Sequence, residues 1–216
     1  MIIRRLVLVV CLCVLVWLRS DLFAQEAQQS STPSAAATVD RGEASNGFYR
    51  NRFFGFSYRI RYGWVDHTDE MRDASTDPAK ATVLLSLFER PPLARGSDVN
   101  SAVVIAAESV SSYPGLKNAA QYFGPISEVT EAKGMKPVND PYEFPVDGKP
   151  IFRRDFMKEV SGVAMHQSTL AMLSKGYVLS FTFIGGSDEE VQQLIEFLRF
   201  GTPAKSAGVS PKASKQ

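Results

Sequence analysis

Three consecutive apolar stretches, Ile151 to Val160, Val163 to Leu173 and Tyr177 to Ile184, are broken at Ser161-Gly162 and at Lys175-Gly176. Breaks that short, each containing glycine, predict an antiparallel meander. Tyr142 to Val146 leads into it through Asp147-Gly148, the strongest short hairpin signal in the chain. A helix is predicted next. Ser187 is its cap, Glu190 completes a capping box, and Asp188 and Glu189 favour the positive helix end. Val191, Leu194, Ile195 and Leu198 then recur on one face. A helix of that kind lies on a sheet, so the fold class is α+β: an antiparallel β-sheet flanked by helices.

The upstream half fits the same class. Phe56, Tyr58, Ile60 and Tyr62 alternate with Ser57, Arg59 and Arg61, the period of a half-buried strand. Phe48 to Phe54 reads as a short strand before Gly55, whereas Val83 to Phe88 and Val103 to Ala107 read as central strands. The proline-rich link from Arg90 to Asn100 is expected to be an exposed loop. Asn118 and Gln121 predict a helix start, with Tyr122, Ile126 and Val129 at helical spacing and Gly124-Pro125 bending or restarting it.

The ends read differently. Arg4 and Arg5, the 13-residue apolar run Leu6 to Leu18 and a small residue at Ala24 have the layout of a secretory signal peptide cleaved after Ala24. The run is short of the about 20 residues that span a bilayer, so no membrane span is expected after cleavage. Cys11 and Cys13 lie inside the apolar core, not after it, so neither is placed for lipidation, and both leave with the peptide. The expected product is exported, periplasmic or secreted, with no disulfide and no thiol chemistry. Residues 25–47 read as a disordered linker and 201–216 as a disordered basic tail, leaving one domain over 48–200. Cleavage changes the net charge from +1 to −1, a balance that excludes a field strong enough to gather nucleic acid.

The order of certain short strings is informative. Asn51, Gly55-Phe56-Ser57-Tyr58 and Trp64 open the domain. Gly148-Lys149, Phe152-Arg153, the strand Gly176 to Leu179 and the acid-capped helix close it. This order resembles the PsbP-like superfamily, which includes an extrinsic subunit of photosystem II, a Ran-binding nuclear import factor and bacterial exported proteins. The resemblance covers roughly residues 48–200. It implies an α/β/α sandwich around an antiparallel sheet, and binding or scaffolding in place of catalysis. It carries over no site residue.

Candidate chemistry is sparse, and no cofactor or metal site is expected. His67 sits in Asp66-His67-Thr68-Asp69-Glu70, which lacks the paired spacing of a dedicated metal site and reads more simply as a solvated acidic loop. His166 shares strand parity with Ala164, Ser168 and Leu170, where a packed or solvated histidine is the simpler account. No Gly-x-Ser-x-Gly elbow occurs. Four arginines, Arg50, Arg52, Arg59 and Arg61, stand between Glu43 and Asp66 without an acid among them. Arg59 and Arg61 would lie about 7 Å apart on one strand face. They are the candidate docking residues for an anionic ligand or another envelope component. The expected function is a non-enzymatic, exported binding or accessory protein. Two alternatives are an envelope hydrolase or metal-dependent enzyme using His166 or His67, and a small-ligand carrier with an apolar cavity among Tyr58, Phe156 and Phe181.

Overall fold

The computed structural model describes residues 39–74, 80–94, 96, 98–160 and 162–201. The expected signal peptide with its cleavage point after Ala24, residues 25–38 of the linker and residues 202–216 of the tail lie outside the described residues. Two antiparallel sheets form the body. The smaller has β1 (Glu43–Ser45), β2 (Phe48–Asn51), β3 (Phe56–Arg59) and, arriving last, β12 (Leu198–Phe200), in the order β1-β2-β3-β12. The larger has β4 (Val65–Asp66), β5 (Ala81–Phe88), β6 (Ala102–Ser109), β7 (Lys136–Pro137), β8 (Tyr142–Glu143), β9 (Phe152–Val160), β10 (Val163–Ser174) and β11 (Tyr177–Gly185). Its order is β4-β5-β6-β11-β10-β9-β7, with β8 also pairing β9. The meander β9-β10-β11 is as its sequence predicts.

Side-chain alternation divides the large sheet into two faces. Leu179, Phe181 and Phe183 of β11 enter one core with Val103 and Ile105 of β6, Leu170 of β10, and Tyr49, Phe56 and Tyr58 of the small sheet. Val191, Leu194 and Ile195 of α3 (Asp188–Ile195) pack into the same core. On the opposite face Ala171 and Val178 meet Ala119, Tyr122 and Phe123. These last three belong to a 3-10 turn over Ala119–Tyr122 and to α2 (Phe123–Ala132). Asn118 caps the turn, its Oδ1 accepting from the Gln121 amide at 3.2 Å. Pro125 is the third residue of α2, in the first turn, where its missing N–H would have had no carbonyl of the same helix to bond. The third helix, α1 (Thr68–Asp73), runs along the β5 edge, where Arg72 donates to the carbonyls of Val83 and Leu84 at 2.7 and 2.9 Å.

Five expectations are revised. The strand read over Phe48 to Phe54 ends at Asn51, and a turn follows. Residues 39–47, read as linker, are ordered: Asn46-Gly47 turns β1 onto β2 with both φ angles positive, and the Tyr49 hydroxyl donates to the Arg41 carbonyl at 2.9 Å. The strand at Phe56 stops at Arg59, and Tyr62, 104 % exposed, stands outside it. Leu198 is buried but belongs to β12, where it pairs with Tyr58. The Asp66 to Glu70 segment is not a solvated loop; it is the end of β4 and the start of α1, with Asp66 accepting from the Thr68 amide at 2.9 Å.

The free side of β12 is occupied by side chains. Arg199 Nη1 donates to the Leu198 carbonyl at 2.8 Å, and the Phe200 amide donates to Asp147 Oδ2 at 2.8 Å. Asp147 reaches that amide because Asp147-Gly148, with φ of 48° and 73°, makes the expected tight turn. Phe181 is fully buried between Phe56 and Phe200, so Phe181→Ala should cost about 3–5 kcal/mol in urea unfolding.

Candidate functional site

Burying Tyr49, Phe56 and Tyr58 obliges the alternate residues of β2 and β3 to face outward. Cα register sets them in two rows: Glu43, Arg50, Ser57 and Arg199 in one, Ser45, Phe48 and Arg59 in the next. Phe197, whose carbonyl accepts from the Arg59 amide at 3.1 Å, continues the second row. The guanidiniums rest on the rings. Arg50 lies 4.9 Å from the Phe48 centroid and Arg59 4.1 Å from that of Phe197. Arg61 lies 5.7 Å from Phe197 and 5.9 Å from Trp64, with Gln193 Oε1 at 3.5 Å. Three of the four arginines singled out by sequence are thus brought together. Arg52 is not; it is exposed in the turn after β2.

Arg199 joins the face from β12, some 140 residues downstream of Ser57, and the sequence offered no sign of it. Among the described residues no carboxylate lies within salt-bridge distance of Arg50, Arg52, Arg59 or Arg61. Arg72, Arg90 and Arg153, by contrast, pair with Asp69, Asp98 and Asp155 at 2.9, 2.8 and 2.7 Å. Beneath the face, Tyr58 donates to the Leu194 carbonyl at 3.1 Å. Burial pushes its phenol well above the ordinary range, against the pull of Arg61 and Arg59.

A second polar region lies between α3 and β9. An open groove of about 500 Å³ is lined by Arg153, Asp155, Asp188, Gln192 and Glu196, among others. His166 Nδ1 lies 2.7 Å from Asp188 Oδ1, which ties β10 to the start of α3. Ser168 shares that strand face, yet its hydroxyl donates to Asp155 at 2.5 Å. Burial would raise the Asp155 pKa; hydrogen bonds from Ser168, Arg153 and Asn139 outweigh it and hold the carboxyl below its ordinary value. A serine bound to so weak a base is not activated as a nucleophile. A relay of serine, histidine and acid also needs the histidine between the other two, and His166 is not the partner of Ser168.

His67 is set elsewhere. Its Nδ1 is 3.9 Å from Glu70, its ring meets Phe88 edge-on, and its buried Nε2 has no partner. Among the described residues no group of three or more His, Cys, Asp or Glu is arranged to hold a metal. Tyr58, Phe156 and Phe181 do not share a cavity. Tyr58 and Phe181 fill the main core, whereas Phe156 pairs with Gln167 on the opposite sheet face.

No family model matches the chain. No curated protein matches it either. Solved structures do, and the likeness to PsbP-like proteins expected from the short strings is met among them. Cyanobacterial PsbP (CyanoP) from Synechocystis sp. PCC 6803 is 14 % identical with a TM-score of 0.47, over 71 % of this chain and 91 % of that one. LpqN of Mycobacterium tuberculosis, described as involved in cell envelope biogenesis, is 11 % identical with a TM-score of 0.37, over 68 % and 83 %. The Saccharomyces cerevisiae Ran-binding protein Mog1p is 9 % identical with a TM-score of 0.38, over 68 % and 90 %. These likenesses concern the fold.

The Asp155 network makes a pH prediction. Because the folded-state pKa is depressed, its contribution to stability is full above the unfolded value of about 3.9 and is lost as pH falls through the folded one. Asp155→Asn should therefore unfold at lower urea than the parent at pH 7, and the gap should narrow as pH falls through the carboxyl's depressed folded-state value.

Proposed function

We propose that this chain is a non-catalytic accessory protein that acts in the cell envelope, exported by its first 24 residues, and docks an acidic component there. The docking surface is the outward face of the small sheet, with Arg50, Arg59 and Arg61 as principal contacts. One observation carries this reading. Three arginines lie on aromatic rings on one face, with no carboxylate of the described chain within salt-bridge distance, whereas Arg72, Arg90 and Arg153 are each paired with an aspartate.

Arginine and aromatic side chains are the residues enriched at protein interfaces, and a guanidinium already resting on a ring loses less freedom when a partner arrives. The apolar content of the face, with Phe48 37 % exposed, is small enough to remain in water until the partner binds. Binding of this kind is electrostatically steered and weakens with salt.

The test is affinity capture from the native envelope after mild crosslinking. The parent is compared with Arg50→Gln/Arg59→Gln/Arg61→Gln, and partners are identified by mass spectrometry. A partner captured by the parent should be reduced about tenfold with the triple variant, the scale of one lost charge-assisted hydrogen bond. Equal capture by a variant with unchanged circular dichroism and Tm would remove the face from the reading.

A further inference from the structure

Resting on that docking surface, we infer that its ligand is an extended acidic protein segment, recognised by the spacing of its carboxylates and not by charge alone. The guanidiniums are laid out in sequence across the face. Arg50 lies on Phe48, Arg59 on Phe197, and Arg61 between Phe197 and Trp64. Phe48 and the Phe197 ring that Arg59 and Arg61 share stand two strands apart in one row, about 9–10 Å by strand spacing, so Arg50 is set at a distance from the other two.

A guanidinium stacked on a ring has one flat side covered. What it offers outward is its edge, two parallel N–H groups that match the two oxygens of a planar carboxylate. The rings restrain where each group sits, and the planar fork of arginine presents paired donors that a lysine at the same place could not.

Spacing supplies the other half of the argument. Arg59 and Arg61 are two residues apart in the chain, so they leave the backbone at most about 7 Å apart. Arg50 is a diagonal neighbour of Arg59 across the β2-β3 pair, a separation of about 7–8 Å. Side chains on one face of an extended segment recur every ~6.6–7 Å. Acids at alternate positions of such a segment match these steps, whereas acids in an uninterrupted run present only every second carboxylate to the face. Among the described residues no acid is paired with these arginines: Glu43, the one in register with Arg50, lies within 3.4 Å of the Ser45 hydroxyl at the sheet rim.

The probes are two fluorescein-labelled peptides of identical composition, Ser-Glu-Ser-Glu-Ser-Glu-Ser and Ser-Ser-Glu-Glu-Glu-Ser-Ser, titrated with the purified protein by anisotropy at 50 mM salt. The alternating peptide should bind about fivefold or more tightly than its isomer. Arg59→Lys/Arg61→Lys, which keeps every charge, should lose about tenfold in affinity for it and most of that preference. Equal binding of the two isomers, an unaltered Lys variant or no binding of either peptide would each overturn the inference. So would inorganic phosphate at 5 mM displacing the peptide when chloride of equal ionic strength does not, or phosphatidylglycerol vesicles binding the protein more tightly than the alternating peptide does. The two readings fail separately. If Arg→Gln still abolishes capture from the envelope while the isomers bind equally, docking stands and spacing recognition falls.

Discussion

Phe56 meets Phe181 edge-on at 5.2 Å, and through that contact the two sheets become one body. Phe200 touches both rings, at 6.1 and 5.9 Å, so the last strand is drawn into the same junction as the third. Aromatic pairs of this geometry contribute about 0.5–1.5 kcal/mol beyond the area they bury. Their larger effect here is positional. Once the inner residues of β2, β3 and β12 are committed to Phe181 and its neighbours, period two leaves the outer residues no choice of side. The arginine-bearing face is the reverse of the core and inherits its rigidity.

The large sheet holds its two covers by polar pins at opposite ends of one strand. Just before β6, the Ser101 hydroxyl donates to Glu190 of α3 at 2.7 Å, and the other oxygen of Glu190 accepts from the Gly186 amide at 2.9 Å. At the far end Glu108 accepts from Tyr122 at 2.5 Å and also from Tyr113. Burial pushes both phenols up, and the Glu108 charge adds to it, so each remains a hydrogen-bond donor throughout the range in which the carboxylate is ionised. Buried groups satisfied in this way fix where a cover sits, a task that apolar contacts alone perform loosely.

What could be read from residue order follows from how local the deciding interaction is. The meander and the Ser187 cap depend on residues within a few positions of one another, and both are found as expected. The capping box is only half made, because Glu190 turns to Ser101, 89 positions away. Leu198 fits a helical period after Leu194 and Ile195, and only its pairing with Tyr58 shows that the helix has ended. Arg199 joins the basic face for the same distant reason. Asn46-Gly47 is a hairpin dipeptide, but the residues before it are polar and lack the alternation that marks a strand, so β1 is hidden from residue order. The six-residue α1 is too short for its period to register. Arg59 and Arg61 are placed together by parity and share the Phe197 ring, whereas Arg50 joins them through the β2-β3 pairing and Arg52 is carried off by a turn.

The sealed flank of β12 bears on how molecules of this chain can meet. A bare outer strand is a template on which another chain can be copied, strand by strand, without limit. Here Arg199 covers the Leu198 carbonyl and Asp147 takes the Phe200 amide, so two of the positions where such copying would begin are already filled. Crowding therefore has no seam along which to zip the molecules into a fibre on that side, and the flat of the small sheet can be offered to a partner without the rim being offered with it.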